Sequence, residues 1–399
     1  MARRSVEEHA AAVRALLEPL LSRPAEAVPL AEALGRCTAE EVLSPVDLPL
    51  FRNSQMDGFA VRASDARSAG AQSPVTLPLG EVIPAGPGVP APLQPGTAVR
   101  IMTGALVPHG ADAIVRVEDT TSSGGRVTLL HSPAPGEHVR EAGSDVPAGG
   151  RLLAAGTLLA PRHLAALAAA GLGAVTVRSR VRVAVLTTGS ELIDAGARPE
   201  PGQIFDANSI ALRAACEEAG AEVVLTGRTA DDPEEFRSLL GRACRSAELV
   251  LTSGGISQGD YEVVRQVLEP AGAWVGEVAM QPGGPQATAQ LDGVPVLCFP
   301  GNPVSTQVSF AVFLRPLLRG AAGLPDAGPG SAVLADGFCS PAGKRQYRRG
   351  RMDENGAVHL IAGPGSHLVA ALASSDVLVV AERDRTEFAA GETVPVIAL

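Results

Sequence analysis

Three short stretches carry the residue types from which a phosphate-binding site is built. Thr187-Thr188-Gly189-Ser190-Glu191 follows an apolar run at 181–186. Ser253-Gly254-Gly255-Ile256-Ser257-Gln258-Gly259-Asp260 follows one at 248–252, and Pro300-Gly301-Asn302-Pro303-Val304-Ser305 follows one at 294–299. Glycine lets backbone N–H groups approach a ligand, and each loop leads toward a helix start, where amide dipoles favour anions. One such turn is as well explained by a tight connection as by function. Three of them at corresponding strand ends point to a phosphate-bearing ligand. Glu191 is the acid nearest a strand end, and a carboxylate there commonly holds Mg2+ beside a substrate phosphate. None of the loops is Gly-x-x-x-x-Gly-Lys-Ser/Thr, and none is a dinucleotide Gly-x-Gly-x-x-Gly.

Other chemically capable residues are less telling alone. Asp57, in Asn53-Ser54-Gln55-Met56-Asp57-Gly58-Phe59, and Asp145, in Gly143-Ser144-Asp145, read as turn residues. Arg345, Arg348, Arg349 and Arg351 read on composition as a solvated basic face. Of the seven histidines none pairs at metal-ligand spacing, so no zinc site is expected. Cys37, Cys216, Cys244, Cys298 and Cys339 are scattered and odd in number. That excludes a disulfide framework and a zinc ribbon, and predicts small buried hydrophobes.

The elements that must position these residues follow from periodicity and punctuation. Ser5-x-x-Glu8 is a capping box, and Val6, Ala10, Val13, Leu17 and Leu20 continue at helical spacing. A short helix is predicted over 30–34, ending at Gly35. From Val46 to Ser144, short apolar runs alternate with Pro/Gly clusters, the texture of a separate β-rich domain. Pro161 opens a helix that Gly171 closes. From Arg180 onward strands (181–186, 221–226, 248–252, 294–299) alternate with helices (209–219, 232–246, 261–268, 303–318). Right-handed βαβ units and a doubly wound parallel sheet are therefore expected. The last 70 or so residues read as a small β-barrel or sandwich after a Gly/Ala/Pro linker. The expected domains are 1–45 with 146–178 (helical and linking), 46–145 (β-rich), 179–322 (α/β) and 323–399 (β-barrel).

Composition agrees with packed cores: 46% of 399 residues are hydrophobic and 3% aromatic. A formal charge of −10 argues against a nucleic-acid-binding role. The uncharged, largely apolar run 164–177 is shorter than the roughly 18 residues of a membrane span, and the N-terminus has no secretory h-region. A soluble, cytoplasmic protein is expected.

Taken together, the motifs resemble those of the MoeA molybdopterin molybdenumtransferases, whose relatives include the E domain of gephyrin. The resemblance rests on Ser44-Pro45-Val46-Asp47-Leu48-Pro49 running through Asn53 to Val61, Arg100-Ile101-Met102-Thr103-Gly104-Ala105, Thr188-Gly189-Ser190-Glu191-Leu192, Ser253-Gly254-Gly255-Ile256-Ser257 and Pro300-Gly301-Asn302-Pro303-Val304-Ser305, in the family's order. It covers essentially the whole chain. It implies a four-domain homodimer in which the molybdopterin-binding α/β domain faces motif residues from the partner's β-rich domain. The implied reaction joins molybdate to adenylylated molybdopterin with Mg2+, yielding molybdenum cofactor and AMP. It carries activity onto Asp57, Thr103, Asp145, Glu191 and Asp260, and metal binding onto Glu191. Substrate contacts fall on Thr188, Gly189, Ser253, Gly254, Gly255, Ser257, Pro300, Gly301, Asn302, Pro303 and Ser305. Arg349 and Ser366 match the oxyanion pocket. A molybdopterin adenylyltransferase is an implied partner.

The chain departs from the family's pattern in Met280-Gln281-Pro282-Gly283-Gly284-Pro285-Gln286, where relatives commonly read Lys-Pro-Gly-Lys-Pro. Both lysines are missing, at Gln281 and Gly284, and Ser190 stands where Asp is usual. A lysine restored at either of the first two positions is expected to tighten molybdate binding. The departure also leaves open a second reading, a catalytically weakened molybdopterin-binding or scaffold paralogue. An adenylyltransferase or CinA-like enzyme of the same superfamily would lack the Asn53–Gly58 segment.

Overall fold

The computed structural model describes residues 2–256, 262–325, 328 and 330–399. The chain forms two compact units, Met1–Glu26 with Val177–Leu399, and Ala27–Thr176.

The first unit is built on a mixed sheet of seven strands. In chain order its elements are β1 (Ala2–Arg4), α1 (Val6–Leu21), β2 (Arg182–Thr188), α2 (Ala207–Glu218), β3 (Glu222–Thr229) and α3 (Pro233–Ser246). These are followed by β4 (Leu249–Ser253), α4 (Val263–Leu268), β5 (Trp274–Val278), β6 (Pro285–Leu291), β7 (Val294–Phe299), α5 (Pro303–Ser309) and α6 (Arg315–Ala322). The spatial order is β1-β5-β6-β7-β4-β2-β3. Strands β7, β4, β2 and β3 are parallel, as expected; β7, β4 and β2 are buried on both faces, which is why they read as apolar runs, while β3 is an edge strand with one exposed face. The expectation of a purely parallel sheet fails at one strand: β6 runs antiparallel to both β5 and β7. Its alternation, Pro-Gln-Ala-Thr-Ala-Gln-Leu, lacks the β-branched run that announced the others. The predicted helix at 303–318 is broken by a π-helical turn, Phe310–Leu314. Pro316, which has no N–H, follows directly. The helix predicted over 261–268 is seen from Val263, Tyr261 lying outside the described residues.

Helix α1 opens as predicted. Ser5 Oγ accepts from the Glu8 amide at 3.1 Å, and the Ser5 amide donates to Glu8 Oε2 at 2.7 Å. Its buried face is Val6, His9, Val13 and Leu17. His9 is wedged between Trp274 and Phe313 (ring centroids 5.1 and 4.8 Å), with Arg4 3.5 Å from Nδ1. Burial, reinforced by the Arg4 charge, drives its pKa down to about 3. The fold therefore accepts only the neutral ring. The stability this contributes is present above the unfolded pKa of about 6.5 and is lost as pH falls from there toward 3. Urea unfolding at pH 7 and pH 4.5 is expected to show a smaller acid-side loss for His9→Leu than for the parent. Equal losses would mean that His9 does not titrate on unfolding.

The C-terminal part of this unit comprises β8 (Gly330–Leu334), β9 (Arg345–Met352), β10 (Ala357–Leu360), β11 (Val377–Ala381) and β12 (Thr393–Ala398). The order β9-β10-β8-β12-β11, with β9 pairing back onto β11, closes a barrel. Its core is Leu334, Val358, Val379, Phe388, Val394 and neighbours. Met280–Gln281 pairs in parallel with β9, which fixes the Gln281–Pro285 turn against the barrel.

The second unit is β-rich over 53–129. Gly58–Val61 lies between Val99–Ile101 and Ala113–Arg116, and Val75–Pro78, Thr120–Ser123 and Arg126–Leu129 form a second small sheet. Phe59, Val61, Leu77, Val115, Val127 and Leu129 make its core. A Cβ at position 58 would overlap the Val115 carbonyl oxygen, so glycine beside Asp57 is a packing requirement. Pro161–Ala169 is helical with Gly171 just beyond, as read from sequence. The short helix expected over 30–34 is a single 3-10 turn, Leu30–Glu32.

Cys37, Cys216 and Cys298 are buried as expected, and burial pushes the thiols of Cys216 and Cys298 up to about 12, so they stay protonated. Cys339 is exposed, contrary to the reading of all five as core residues.

Candidate active site

From β2 the chain passes to β3 on one side, then crosses to β4 on the other. That reversal opens a crevice at the C-terminal ends of β2 and β4, where ligands of open α/β sheets bind. A cleft of about 780 Å3 lies there, lined by all three strand-end loops, by the Gln281–Pro285 turn and by Pro364–His367 from the barrel.

The cleft wall is built by close backbone approach. Gly254 (φ +98°) and Gly255 (φ +66°) occupy conformations that favour glycine, and a Cβ on Gly254 would lie 2.7 Å from the Thr188 carbonyl oxygen. The Gly254 amide donates to Phe299 O at 3.1 Å. Thr188 is 6% exposed, and its Oγ1 has no hydrogen-bond partner among the described residues. The space above Gly189 is taken by the Glu191 carboxylate, whose oxygens would sit 2.7 and 2.8 Å from a Cβ there. Ser253 Oγ contacts Pro300 O and Thr306 Oγ1, both at 3.2 Å. Asn302 stands at the N-cap position of α5 without a side-chain capping bond, Pro303 is the first helical residue and Ser305 is buried within the helix.

Two cleft residues escaped the sequence reading. Asn208 donates from Nδ2 to Ser253 Oγ at 2.9 Å and to Gly301 O at 2.7 Å, joining the start of α2 to the ends of β4 and β7. Asp231 follows β3 and accepts at Oδ2 from both the amide (3.1 Å) and the hydroxyl (2.6 Å) of Ser190. Asp232, next in sequence, accepts from the Glu234 and Glu235 amides and caps α3. Asp206, buried, accepts from Thr187 Oγ1 and caps α2 through the Ser209 amide.

Arg349 and Ser366 are joined through one loop. Arg349 is 3% exposed and donates to the carbonyls of Gly363 and Gly365. Burial, with the neighbouring Arg348 charge, lowers its pKa. Ser366 lines the cleft, and its carbonyl accepts from the Val304 amide at 3.2 Å. Arg349 thus holds the loop that brings Ser366 to the wall. Arg345 is engaged by Glu7 and Glu382, and Lys344 pairs with Glu277 at 2.8 Å.

In the second unit, Asp57 Oδ1 accepts from both the amide and the hydroxyl of Thr103, each at 2.7 Å. Those bonds hold the Asp57 carboxyl below the usual carboxylate range. Asp145 sits on an exposed turn, its amide donating to Leu48 O at 2.9 Å. Ser257 and Asp260 lie outside the described residues.

Among the described residues no three His, Cys, Asp or Glu side chains are gathered as a metal site. Glu191 and Asp231 both line the cleft. Among the described residues no helix is long and apolar enough to cross a membrane.

A switch-point cleft walled by glycine turns and carboxylates, beside a closed barrel, has the make-up of a small-molecule site in an open α/β protein. Family profiles cover almost the whole chain: "MoeA N-terminal region (domain I and II)" over residues 4–171, "Probable molybdopterin binding domain" over 184–320 and "MoeA C-terminal region (domain IV)" over 331–399. The chain belongs to the MoeA family. It is 45% identical to molybdopterin molybdenumtransferase 2 of Mycobacterium tuberculosis, covering 98% of this chain and 99% of that one. It is 35% identical to the molybdopterin molybdenumtransferase of Haemophilus influenzae, covering 92% of each. The crystal structure of a MoeA protein from Pyrococcus horikoshii superposes with a TM-score of 0.80 at 32% identity, over 97% of this chain and 98% of that one.

Proposed function

We propose that the chain inserts molybdenum into adenylylated molybdopterin, releasing AMP and giving molybdenum cofactor, with Mg2+ as the resident metal. The observation that carries this reading is the switch-point cleft, where three glycine-bearing strand ends, Glu191 and Asp231 line one wall. The similarity to relatives named molybdopterin molybdenumtransferase supports it and disfavours a scaffold that has lost the chemistry.

In this reading the turns at Gly189, Gly254–Gly255 and Gly301 receive the substrate phosphates. Thr188, Ser253, Ser257, Asn302 and Ser305 supply polar contacts around them, and Pro300 and Pro303 stiffen the third turn. Mg2+ takes one or two carboxylates together with phosphate oxygens, so Glu191 and Asp231 fit it without a third acid. When bound it neutralises charge on the anhydride being cleaved. Ser190 orients Asp231. Asp57, kept ionised by Thr103, together with Asp145 and Asp260, positions the attacking oxygen. Ser366, on the loop held by Arg349, contacts molybdate as substrate. Purified protein given adenylylated molybdopterin, molybdate and Mg2+ is expected to release AMP. Release no faster than without protein overturns the reading.

The working form in this proposal is a cytoplasmic homodimer that receives its substrate from a molybdopterin adenylyltransferase. Asp57→Ala and Glu191→Ala chains are each expected to be inactive, and a mixture of the two is expected to regain activity if each site draws on both chains. Light scattering at the 40.6 kDa monomer mass, with no recovery on mixing, overturns the dimer.

A further inference from the structure

One part of the cleft wall is unlike the rest. Ile204 and Phe205 line it and are 55% and 46% exposed. This chain has nine phenylalanines. Phe59, Phe236, Phe299, Phe310, Phe313 and Phe388 are buried, and Phe338 stacks on Phe388. Phe51, 43% exposed, and Phe205 are the rings left to water, and of the two it is Phe205 that lines the cleft. A contiguous apolar pair in such a place marks a surface that something covers. It is also tied to the acidic wall: the Ile204 amide donates to the Glu191 carbonyl and the Asp206 amide to the Ile193 carbonyl, both at 2.8 Å. The short parallel pairing of Leu192–Ile193 with Ile204–Phe205 thus fixes the lip relative to Glu191.

We infer that the Ile204–Phe205 lip is the stacking platform for a flat nitrogen heteroaromatic ring of the substrate, and that Phe205 is a specificity-determining residue. The inference rests on the function proposed above. The occupant is argued from continuity: the lip borders the cleft that takes the phosphates, and about 780 Å3 is the scale of a whole small-molecule ligand rather than of phosphates alone. An aromatic face joined to a polar floor suits a molecule with a planar ring at one end and phosphate next to it. Both the adenine and the pterin of the proposed substrate have that form, and the test separates them.

The probes are AMP and 6-hydroxymethylpterin, each titrated calorimetrically into the full chain with Mg2+ present. Phe205→Ala is expected to weaken one probe roughly tenfold, the scale of losing a base–aromatic stack, and to leave the other within twofold. The probe that weakens names the ring. Phe205→Trp is expected to keep that affinity, and its indole fluorescence to be quenched by the same probe above the background of Trp274. In turnover, Phe205→Ala is expected to raise KM with kcat retained. If the parent binds both probes and Phe205→Ala changes neither, the platform is wrong while the proposed function stands. If Phe205→Ala instead shifts the mass seen by light scattering, a second copy covers the lip and the inference falls. If the parent binds neither probe at millimolar concentration and releases no AMP, both readings fall together.

Discussion

Glu191→Ala is expected to lower AMP release on the order of 10²–10³-fold, the cost of removing one preorganised electrostatic partner from a reacting centre. The carboxylate fills the space over Gly189 and lines the cleft, and its own backbone carbonyl anchors the Ile204–Phe205 lip. The substitution removes the side chain and keeps the backbone bond, so the lip is expected to stay in place. Calorimetry with AMP in the absence of metal is therefore expected to be little changed, while the Mg2+ concentration giving half-maximal turnover rises. Glu191→Gln keeps the shape and loses the charge, and is expected to be nearly as impaired. If Glu191→Gln retains most of the parent rate, the carboxylate acts by shape alone and the metal role assigned to it is wrong. Ser190→Ala makes a milder companion. It removes the 2.6 Å bond to Asp231 Oδ2 and leaves the amide bond at 3.1 Å, so a smaller effect in the same direction is expected.

The order of these effects reflects what the sequence could and could not express. Strand-end loops are local, and their glycines, caps and apolar runs are written contiguously. Thr188–Glu191, Ser253–Gly255 and Pro300–Ser305 are therefore legible from sequence alone as the strand ends on one side of the sheet. Asn208 and Asp231 could not be singled out, because their roles exist only across elements. Asn208 matters through Ser253 and Gly301, and Asp231 through Ser190. The same reason hid β6 and the β1–β5 pairing, since an edge strand of three residues and a strand rich in Ala, Gln and Thr carry no periodic signal of their own. The arginine cluster shows the converse. Composition grouped Arg345, Arg348, Arg349 and Arg351 as one basic face, whereas folding separates them. Arg349 is buried against loop carbonyls, Arg345 is neutralised by two glutamates, and Arg351 is bonded to the Ser374 carbonyl.

Gln281→Lys is expected to lower the molybdate concentration for half-maximal cofactor formation roughly tenfold, and Gly284→Lys to do far less. From the sequence the two missing lysines looked equivalent; their surroundings are not. Gln281 lines the cleft, and its Oε1 accepts from Gln346 Nε2 at 2.7 Å. Gln346 is 2% exposed, and its own Oε1 has no hydrogen-bond partner among the described residues. Rotating that amide offers a new ammonium at position 281 an acceptor, at the cost of moving the Gln346 Nε2 donor to where Oε1 now lies, so the substitution brings charge to the wall and gives up part of the gain there. A charge-assisted hydrogen bond to a dianion contributes about 1.5–3 kcal/mol, which sets the tenfold scale. Gly284 faces elsewhere. A Cβ there would lie 3.4 Å from Cγ and Oε1 of Glu277, the carboxylate already paired with Lys344. The Lys344 hydrogen bond holds the Glu277 carboxyl below its usual range, so it stays charged at neutral pH. A lysine at 284 therefore meets an anion first and competes with Lys344 for it. The charge it adds is spent within the Glu277–Lys344 pair rather than at the cleft. Gly284→Lys with Glu277→Gln is then expected to gain what Gly284→Lys alone does not, because no carboxylate remains to capture the new ammonium. If Gln281→Lys leaves the half-maximal molybdate concentration unchanged, the oxyanion is held away from this turn, and the assignment of Ser366 as its contact falls with it.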